Sequence, residues 1–175
     1  EVGMDLHDMG AARTLVVIDP ALIDLPVGQT VIESLRDAGV DHDVFSAVSV
    51  EPTDVSFREA TAVAVEGQYD AFLAVGGGSS IDTAKAANLY STYPAEFFDY
   101  VNAPVGKGVP VPGPLMPLIA IPTTAGTGSE TTGVAIFDIS ARHVKTGIAH
   151  RRLKPTLAIV DPENTRTMPA VVAAS

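Results

Sequence analysis

The chain has 175 residues, of which 46% are hydrophobic and 18% are charged, a composition typical of one globular domain with a buried core. Its net charge of -10 argues against a nucleic-acid partner, and no apolar run approaches the roughly 20 residues of a membrane span. Because cysteine is absent, disulfides and thiolate metal sites are excluded. With no signal peptide visible either, we expect a cytoplasmic protein without a membrane partner.

Strands and helices alternate over the first half of the sequence. Apolar runs predict strands at residues 14–18, 44–50 and 69–75. Apolar spacing predicts helices at residues 30–38, 56–66 and 79–90. Ser56 and Glu59 stand at the spacing of a capping box at the start of the second helix. This alternation predicts an α/β fold in which helices cover both faces of a parallel sheet.

The second half of the sequence is less regular. Proline and glycine crowd residues 104–117, which predicts an exposed loop. Further strands are predicted at residues 118–121, 134–138, 144–148 and 156–160, the middle two as a β-hairpin. Pro169 is the predicted first-turn proline of a helix that has barely begun when the sequence stops. We therefore expect one domain of a longer protein.

Three consecutive glycines, Gly76–Gly78, join the strand predicted at 69–75 to a helix opened by Ser79. We call these three residues the glycine turn. Only glycine lets the backbone approach a bulky anion without side-chain interference. The helix that follows directs its free N–H groups and the positive end of its dipole at the same place. The sequence therefore predicts a diphosphate site, with a plain tight turn as the alternative.

A second polar segment, residues 122–133, follows the strand predicted at 118–121 and is called the polar loop here. Its hydroxyls and glycines offer many short donors to a ligand, although a plain surface loop is the alternative. Two such segments, each directly after an apolar strand, favour a shared ligand. Ile81 and Thr131 stand where a G-x-G-x-x-G pattern needs glycine. Asp19, an acid at a strand end, precedes the glycines, so the usual dinucleotide arrangement does not apply.

Three segments together resemble the N-terminal domain of the iron-containing (group III) alcohol dehydrogenases. They are the glycine turn with Asp82 and Lys85, the polar loop, and residues 154–162 continued by Met168 and Pro169. The resemblance covers essentially the whole chain. It implies a dehydroquinate-synthase-like N-terminal nucleotide-binding domain over residues 1–175, in which a parallel sheet with helices on both faces is joined by a β-hairpin.

The resemblance also implies a reaction. The parent protein would be an NAD-dependent, metal-assisted oxidoreductase, a homo-oligomer that moves hydride between nicotinamide and a small-molecule alcohol or hydroxyacid. Within the family, residues 3–6, 85–90 and 128–137 most resemble the hydroxyacid–oxoacid transhydrogenases. That subfamily implies 4-hydroxybutyrate as the hydride donor and 2-oxoglutarate as the acceptor.

Residue roles follow from the resemblance, first around the phosphates. Gly77, Gly78 and Ser79 would hold the pyrophosphate. Thr127 and Ser129, in the polar loop, would approach the phosphates and the nicotinamide ribose.

The remaining matched residues would contact the two nucleoside halves. Thr123 and Thr124 would contact the adenine half, and Asp19 would bind the adenosine ribose and disfavour a 2′-phosphate by charge repulsion. Asp82 would lie on the ribose side of the glycine turn. Lys145 would hydrogen-bond the nicotinamide-side ribose.

The three charged residues each have a structural alternative. Asp19 could simply start an Asp-Pro turn. Asp82 stands at capping-box spacing from Ser79. Lys145 could be an ordinary exposed lysine of the hairpin.

One triplet departs from the family pattern, and the metal site is missing. Glu51 begins a Glu-Pro-Thr triplet where family members often carry Asn-Pro-Thr, which leaves a cofactor contact from position 51 open. The family's Fe or Zn is held by an Asp and three His of a helical C-terminal domain. We therefore expect no catalytic residue and no metal ligand in this chain. Surface positions are expected for His7, His42, His143 and His150.

Two other functions remain open from the sequence. One is a polyol or sugar-phosphate enzyme of the same fold, of the glycerol dehydrogenase or dehydroquinate synthase type. The other is a non-catalytic nucleotide-binding domain in which the glycines hold a mononucleotide.

Overall fold

The structure is a computed structural model that describes residues 1–166 and 168. The helices are α1 (Val2–Asp8), α2 (Pro26–Asp37), α3 (Asp54–Gly67), α4 (Gly78–Thr92) and α5 (Phe97–Tyr100). The strands are β1 (Arg13–Ile18), β2 (Asp41–Phe45), β3 (Ala71–Gly76), β4 (Leu118–Pro122), β5 (Val134–Ile139), β6 (Val144–Ala149) and β7 (Leu157–Ala158). The helix predicted from Pro169 lies outside the described residues.

Five parallel strands form the main sheet in the order β2-β1-β3-β4-β7. Strands β5 and β6 form a separate antiparallel hairpin. The predicted parallel sheet and hairpin are therefore confirmed. Counted without the hairpin, the strand order is 2-1-3-4-5, and the winding direction reverses between β1 and β3. In sheets of this kind, ligands bind outside the carboxyl ends of the strands at that reversal.

Both faces of the sheet are buried by helices, as predicted. Val16 and Ile18 of β1 point to the face covered by α1 and α2. Leu15 and Val17 point to the opposite face, which α3 and α4 cover. Because successive side chains of a strand alternate between faces, each of these apolar strands fills two cores.

Helix α4 lies between the sheet and a third layer made of the hairpin, α5 and the loop that follows it. Every residue from Ser80 to Tyr90 is buried, so the helix has no exposed face over that span. Alanines at positions 84, 86 and 87 provide the small side chains that close packing on all sides requires. Within the described residues, no helix combines the length and apolarity needed to cross a membrane.

Some predicted boundaries are wrong. The N-cap of α3 is Thr53, whose hydroxyl accepts the N–H of Ser56 while the Ser56 hydroxyl accepts the N–H of Thr53. The capping box predicted for Ser56 and Glu59 is therefore one turn too late. Strand β2 spans Asp41–Phe45, whereas the strand was predicted at residues 44–50. As an edge strand it tolerates exposed polar residues, so its apolar pattern is weak. Helices α1 and α5 are short and were not predicted.

Candidate functional site

The glycine turn lies at the carboxyl end of the sheet. Strand β3 ends at Gly76, whose φ of +148° is a backbone conformation that L side chains rarely adopt. Helix α4 begins at Gly78, the last residue of the turn, with Gly77 as its N-cap and without a side-chain cap. The capping box considered for Ser79 and Asp82 is therefore wrong. Backbone N–H groups of the first turn are left for a ligand or water.

The polar loop packs directly against the glycine turn. Pairing of β3 with β4 places Gly76 opposite Pro122, and the N–H of Thr123 donates to the Gly76 carbonyl at 3.0 Å. A Cβ built on Gly77 would lie 2.9 Å from the hydroxyl oxygen of Thr124. A parallel pair of strands therefore brings the two segments to one place.

Two more hydroxyl residues of the loop lie beside Gly78. A Cβ built there would lie 3.1 Å from Cγ2 of Thr127 and 3.2 Å from the hydroxyl oxygen of Ser129. Thr127 is exposed and Ser129 is buried, so the hydroxyls line the crevice at different depths. Any side chain at position 78 would crowd them.

Asp19 follows β1 and lies next to the glycine turn. Its N–H donates to the Val75 carbonyl at 3.1 Å, and a Cβ built on Gly76 would lie 3.4 Å from Cβ of Asp19. One carboxylate oxygen accepts the N–H of Ala21 at 2.9 Å and caps a short 3-10 turn. Asp161 makes the same cap after β7. Asp19 therefore starts a turn, as the structural alternative predicted, and it also lies at the strand reversal where a ligand would bind.

Ser80 was not singled out from the sequence, although it directly follows the glycines and Ser79. Its side chain is buried, and its hydroxyl makes no hydrogen bond with any described residue. A Cβ on Gly76 would collide with it. An orphaned buried hydroxyl behind the turn is a further polar group at this site.

Asp82 and Lys85 form a buried ion pair that connects α4 to the hairpin. Asp82 accepts the N–H of Ile136 at 2.9 Å, and Lys85 donates to the Val134 carbonyl at 2.7 Å. Their charged groups are 3.3 Å apart. Burial raises the pKa of the Asp82 carboxyl and lowers that of the Lys85 ammonium, while each charge opposes the shift of its partner. Both Asp82 oxygens thus contact groups inside the protein.

Lys145 lies on the hairpin between two carboxylates. Its ammonium is 3.8 Å from Glu51 and 3.9 Å from Asp138. Glu51 has a φ of +56°, a left-handed conformation that asparagine adopts more readily than glutamate. The backbone at position 51 therefore gives a physical reason for the asparagine that the family resemblance implies there.

A cavity of about 600 Å³ lies along α2, next to the ends of β4 and β7. Its lining includes Val31, Ile121 and Ile159 on the apolar side, and Asp161 and Asn164 on the polar side. This volume is in the range of small-molecule sites. The cavity reaches the strand end that carries the polar loop.

A metal ion does not fit the described residues. Among residues 1–166 and 168, no three His, Cys, Asp or Glu side chains come together as a metal site would require. A diphosphate does fit. The uncapped helix start, the crowded glycines, the loop hydroxyls and the orphaned Ser80 hydroxyl supply short donors and a positive dipole around one crevice.

The sequence is similar to one family of known proteins over nearly its whole length. Residues 1–162 match the family model described as "Iron-containing alcohol dehydrogenase". The "Hydroxyacid-oxoacid transhydrogenase, mitochondrial" of Bos taurus is 60% identical over 176 residues, covering 100% of this chain and 38% of that protein. The human protein of the same name is 55% identical with the same coverage. The chain thus spans 38% of the length of these curated relatives.

Solved structures share the fold. A "1,3-propanediol oxidoreductase" superposes with a TM-score of 0.89 at 30% identity, over 99% of this chain and 44% of that one. The sulfoacetaldehyde reductase from Bifidobacterium kashiwanohense, solved in complex with NAD+, superposes with a TM-score of 0.87 at 28% identity. The match covers 98% of this chain and 44% of that one.

The expected cytoplasmic location is wrong. The bovine and human relatives are both named mitochondrial. Composition failed here because a folded domain carries the same core and surface chemistry in either compartment, and mitochondrial addresses are separate segments. The family expectation, in contrast, is confirmed over nearly the whole length. On the match of residues 1–162 and the shared fold, the chain belongs to the iron-containing alcohol dehydrogenase family.

Proposed function

We propose that this chain is the dinucleotide-binding part of a mitochondrial, NAD-dependent oxidoreductase that passes hydride from a hydroxyacid to an oxoacid. The observation that carries the proposal is the glycine turn at the uncapped start of α4, covered by loop hydroxyls. The subfamily assignment is supported by the transhydrogenase names of relatives 50–60% identical across the whole chain. The substrates we propose are 4-hydroxybutyrate and 2-oxoglutarate.

The pyrophosphate of NAD would lie over the glycine turn. The N–H groups of Gly77, Gly78 and Ser79 would donate to its oxygens, because the first turn of a helix has no acceptors of its own. The hydroxyls of Thr127 and Ser129, which lie beside Gly78 in the polar loop, would donate to the same phosphate oxygens. The helix dipole favours the negative charge of the ligand.

The adenosine half would lie toward β1 and the start of the polar loop. Asp19 lies at the strand reversal, and its second carboxylate oxygen would accept the ribose hydroxyls while the first keeps its local cap. A 2′-phosphate would meet the same negative charge, so we propose a preference for NAD over NADP. Thr123 and Thr124 would contact the adenine side.

The nicotinamide half would extend toward the hairpin. The chemistry that NAD supplies when bound is reversible hydride transfer. Lys145 would donate to the adjoining ribose, and Glu51 and Asp138 lie within 4 Å of its ammonium. Asp82, assigned to the ribose side by family resemblance, is too engaged with Ile136 and Lys85 to serve as the main ribose ligand in this proposal.

No metal ligand is proposed in this chain, and no step is assigned to a metal through its residues. We propose that residues 1–175 form one dinucleotide-binding domain and that a helical metal-binding domain belongs to the rest of a longer protein. The low coverage of the relatives, 38%, supports this division. Assembly into a homo-oligomer remains a prediction.

The test compares the full-length protein with the 175-residue chain. We expect the full-length protein to convert 4-hydroxybutyrate and 2-oxoglutarate without added free NAD, and the 175-residue chain to be inactive. Calorimetry with Zn²⁺ and Fe²⁺ should detect no tight one-to-one metal binding to the shorter chain, because a catalytic metal needs about three protein ligands. Turnover by the shorter chain would place the catalytic centre within these residues. Oxidation of glycerol in place of the hydroxyacid would favour the polyol enzymes.

A further inference from the structure

Strand β5 has no neighbouring strand along the edge opposite β6. The Pro52 carbonyl accepts the N–H of Asp138 on that edge at 2.8 Å, and charged side chains of α4 satisfy the groups nearer the start of the strand. Its other edge pairs with β6, where Ile136 lies opposite Gly147. On the edge opposite β6, the carbonyl of Val134 accepts from Lys85 and the N–H of Ile136 donates to Asp82. These two side chains provide a donor and an acceptor to successive edge groups, as a neighbouring strand would.

The contact is buried and charged. The Lys85 side chain is 0% exposed and that of Asp82 is 9% exposed. A charge pair of this kind contributes little net stability compared with apolar residues, but it is strongly directional, and removal of one partner leaves a buried charge without compensation. Its most direct use is to fix how two elements are placed relative to each other.

The polar loop runs from the end of β4 to the start of β5, the strand that the pair attaches to α4. At its start, the Thr123 N–H is bound to the Gly76 carbonyl. At its end, the loop enters β5 at Val134, the residue whose carbonyl accepts from Lys85. Burial lowers the pKa of Lys85, and the negative charge of Glu130, a residue of the loop, partly offsets that shift. The loop is therefore fixed at both ends, and one end depends on the pair.

We propose that Asp82 and Lys85 are positioning residues for the cofactor, which act by holding the hydroxyls of the polar loop beside the glycine turn. The inference rests on the proposed function, because it assumes that the ligand of this crevice is NAD. It differs from a direct ribose contact by Asp82, which would not involve Lys85.

The test measures NADH dissociation constants and melting temperatures in the full-length protein. The variants are Asp82→Asn, Lys85→Met and the double variant. We expect each single change to weaken NADH binding about tenfold or more, and the double variant to lose about as much as one single change, because both residues serve one contact. Binding is measured well below the lowest melting temperature, so that a purely structural role would leave the dissociation constant unchanged.

A matched control is Asp43→Asn, which removes one carboxylate from the surface pair with Arg13 on β1. It should leave NADH binding unchanged. Unaltered NADH binding in Asp82→Asn and Lys85→Met, with only a lower melting temperature, would overturn the inference. So would a loss confined to Asp82→Asn, which would indicate a direct ligand.

The double variant keeps the test informative if a single variant fails to fold, because it leaves no buried charge unpaired. Wild-type NADH affinity in the double variant contradicts the inference. Weakened affinity supports it against a purely structural role, and Lys85→Met, which keeps Asp82, distinguishes it from a direct ligand. Failure of the wild-type protein itself to bind NADH would instead overturn the proposed function.

Discussion

The glycines of the turn are required for two different physical reasons. Gly76 has a φ of +148°, a backbone conformation that is unfavourable for any residue with an L side chain, whatever space surrounds it. Gly77 and Gly78 have no such backbone constraint, but hydroxyl residues of the polar loop occupy the space around a built Cβ. All three positions are therefore sterically restricted, and Gly76 has a backbone requirement in addition.

Substitution of Gly78 should separate ligand binding from folding. In Gly78→Val the branched side chain would enter the space between the helix start and the loop hydroxyls of Thr127 and Ser129. We expect NADH binding to weaken by about 100-fold or more while the melting temperature falls by only a few degrees. Titration of NADH fluorescence and thermal denaturation measure the two effects.

The control for this substitution is Ser91→Val, which adds the same side chain near the other end of α4. It should leave NADH affinity unchanged. If Gly78→Val unfolds the protein at every temperature at which binding can be measured, the plain tight-turn interpretation is the better one.

Asp19 should determine the choice between NAD and NADP. A carboxylate beside a 2′-phosphate places like charges a few ångströms apart, which costs on the order of 1–4 kcal/mol near a protein surface. We therefore expect Asp19→Ala to raise the ratio of kcat/KM for NADP to that for NAD by about tenfold or more.

Asp161→Ala is the matched control, because Asp161 makes the same Asp-Pro cap after β7, away from the strand reversal. Loss of a cap alone should leave the cofactor ratio unchanged. An equal change in both variants, or none in Asp19→Ala, would mean that Asp19 is only a turn residue.

At the scale of elements, one side-chain cluster links the edge strand β2 to β1 and to the residues just before β3. Arg13 of β1 donates to Asp43 of β2 at 2.7 Å, and Tyr69, just before β3, donates to the same carboxylate oxygen at 2.9 Å. Both contacts hold the pKa of Asp43 below its ordinary value, with Arg13 the larger cause. Burial, reinforced by Asp43, raises the pKa of Tyr69 to about 12, so its hydroxyl remains a donor throughout the neutral range.

The stability contributed by Asp43 should therefore depend on pH in one direction. A carboxyl whose folded pKa is lowered contributes fully above its unfolded pKa of about 3.9, and the contribution is lost as the pH falls through the folded value. We expect Asp43→Asn to be less stable than wild type above about pH 5, and the difference to shrink below about pH 4. Urea denaturation of both proteins at pH 3 to 7 measures this difference in the free energy of unfolding.

Asp37→Asn serves as the comparison for this series, since Asp37 makes no ion pair with the described residues. The loss of stability expected for Asp43→Asn above about pH 5 should be absent in Asp37→Asn. A difference between wild type and Asp43→Asn that stays constant down to pH 3 would contradict the linkage to the Asp43 carboxyl.

At the scale of the whole molecule, the proposed site lies where three layers meet. The carboxyl edge of the sheet supplies Asp19 and the glycine turn, α4 supplies the helix start, and the hairpin supplies Lys145. Helix α4, which begins at the proposed phosphate site, packs against the sheet on one side and against the hairpin on the other. The site is therefore built on the most buried element of the chain, which favours a preformed geometry.

Much of this architecture could be predicted from local sequence. Strands β3 and β4 are short apolar runs followed directly by glycine-rich or hydroxyl-rich segments, and both were located within two residues. Edge strand β2 was misplaced because its exposed Asp41 and Asp43 hide the strand pattern. The capping box was misread because Thr53 and Ser56 satisfy the same spacing one turn earlier. The assigned roles of the cofactor residues remain predictions.

The sequence by itself determined the alternation of elements, the glycine turn, the polar loop and the family, because each of these is recorded in residues that are neighbours along the chain. Only the tertiary structure decided that Asp19 lies beside Gly76, since that depends on β3 pairing with β1 after a crossover through β2. The bond from Lys85 to Val134 likewise joins residues far apart in the chain. Such contacts are decided by strand order and packing, for which neighbouring residues carry no signal.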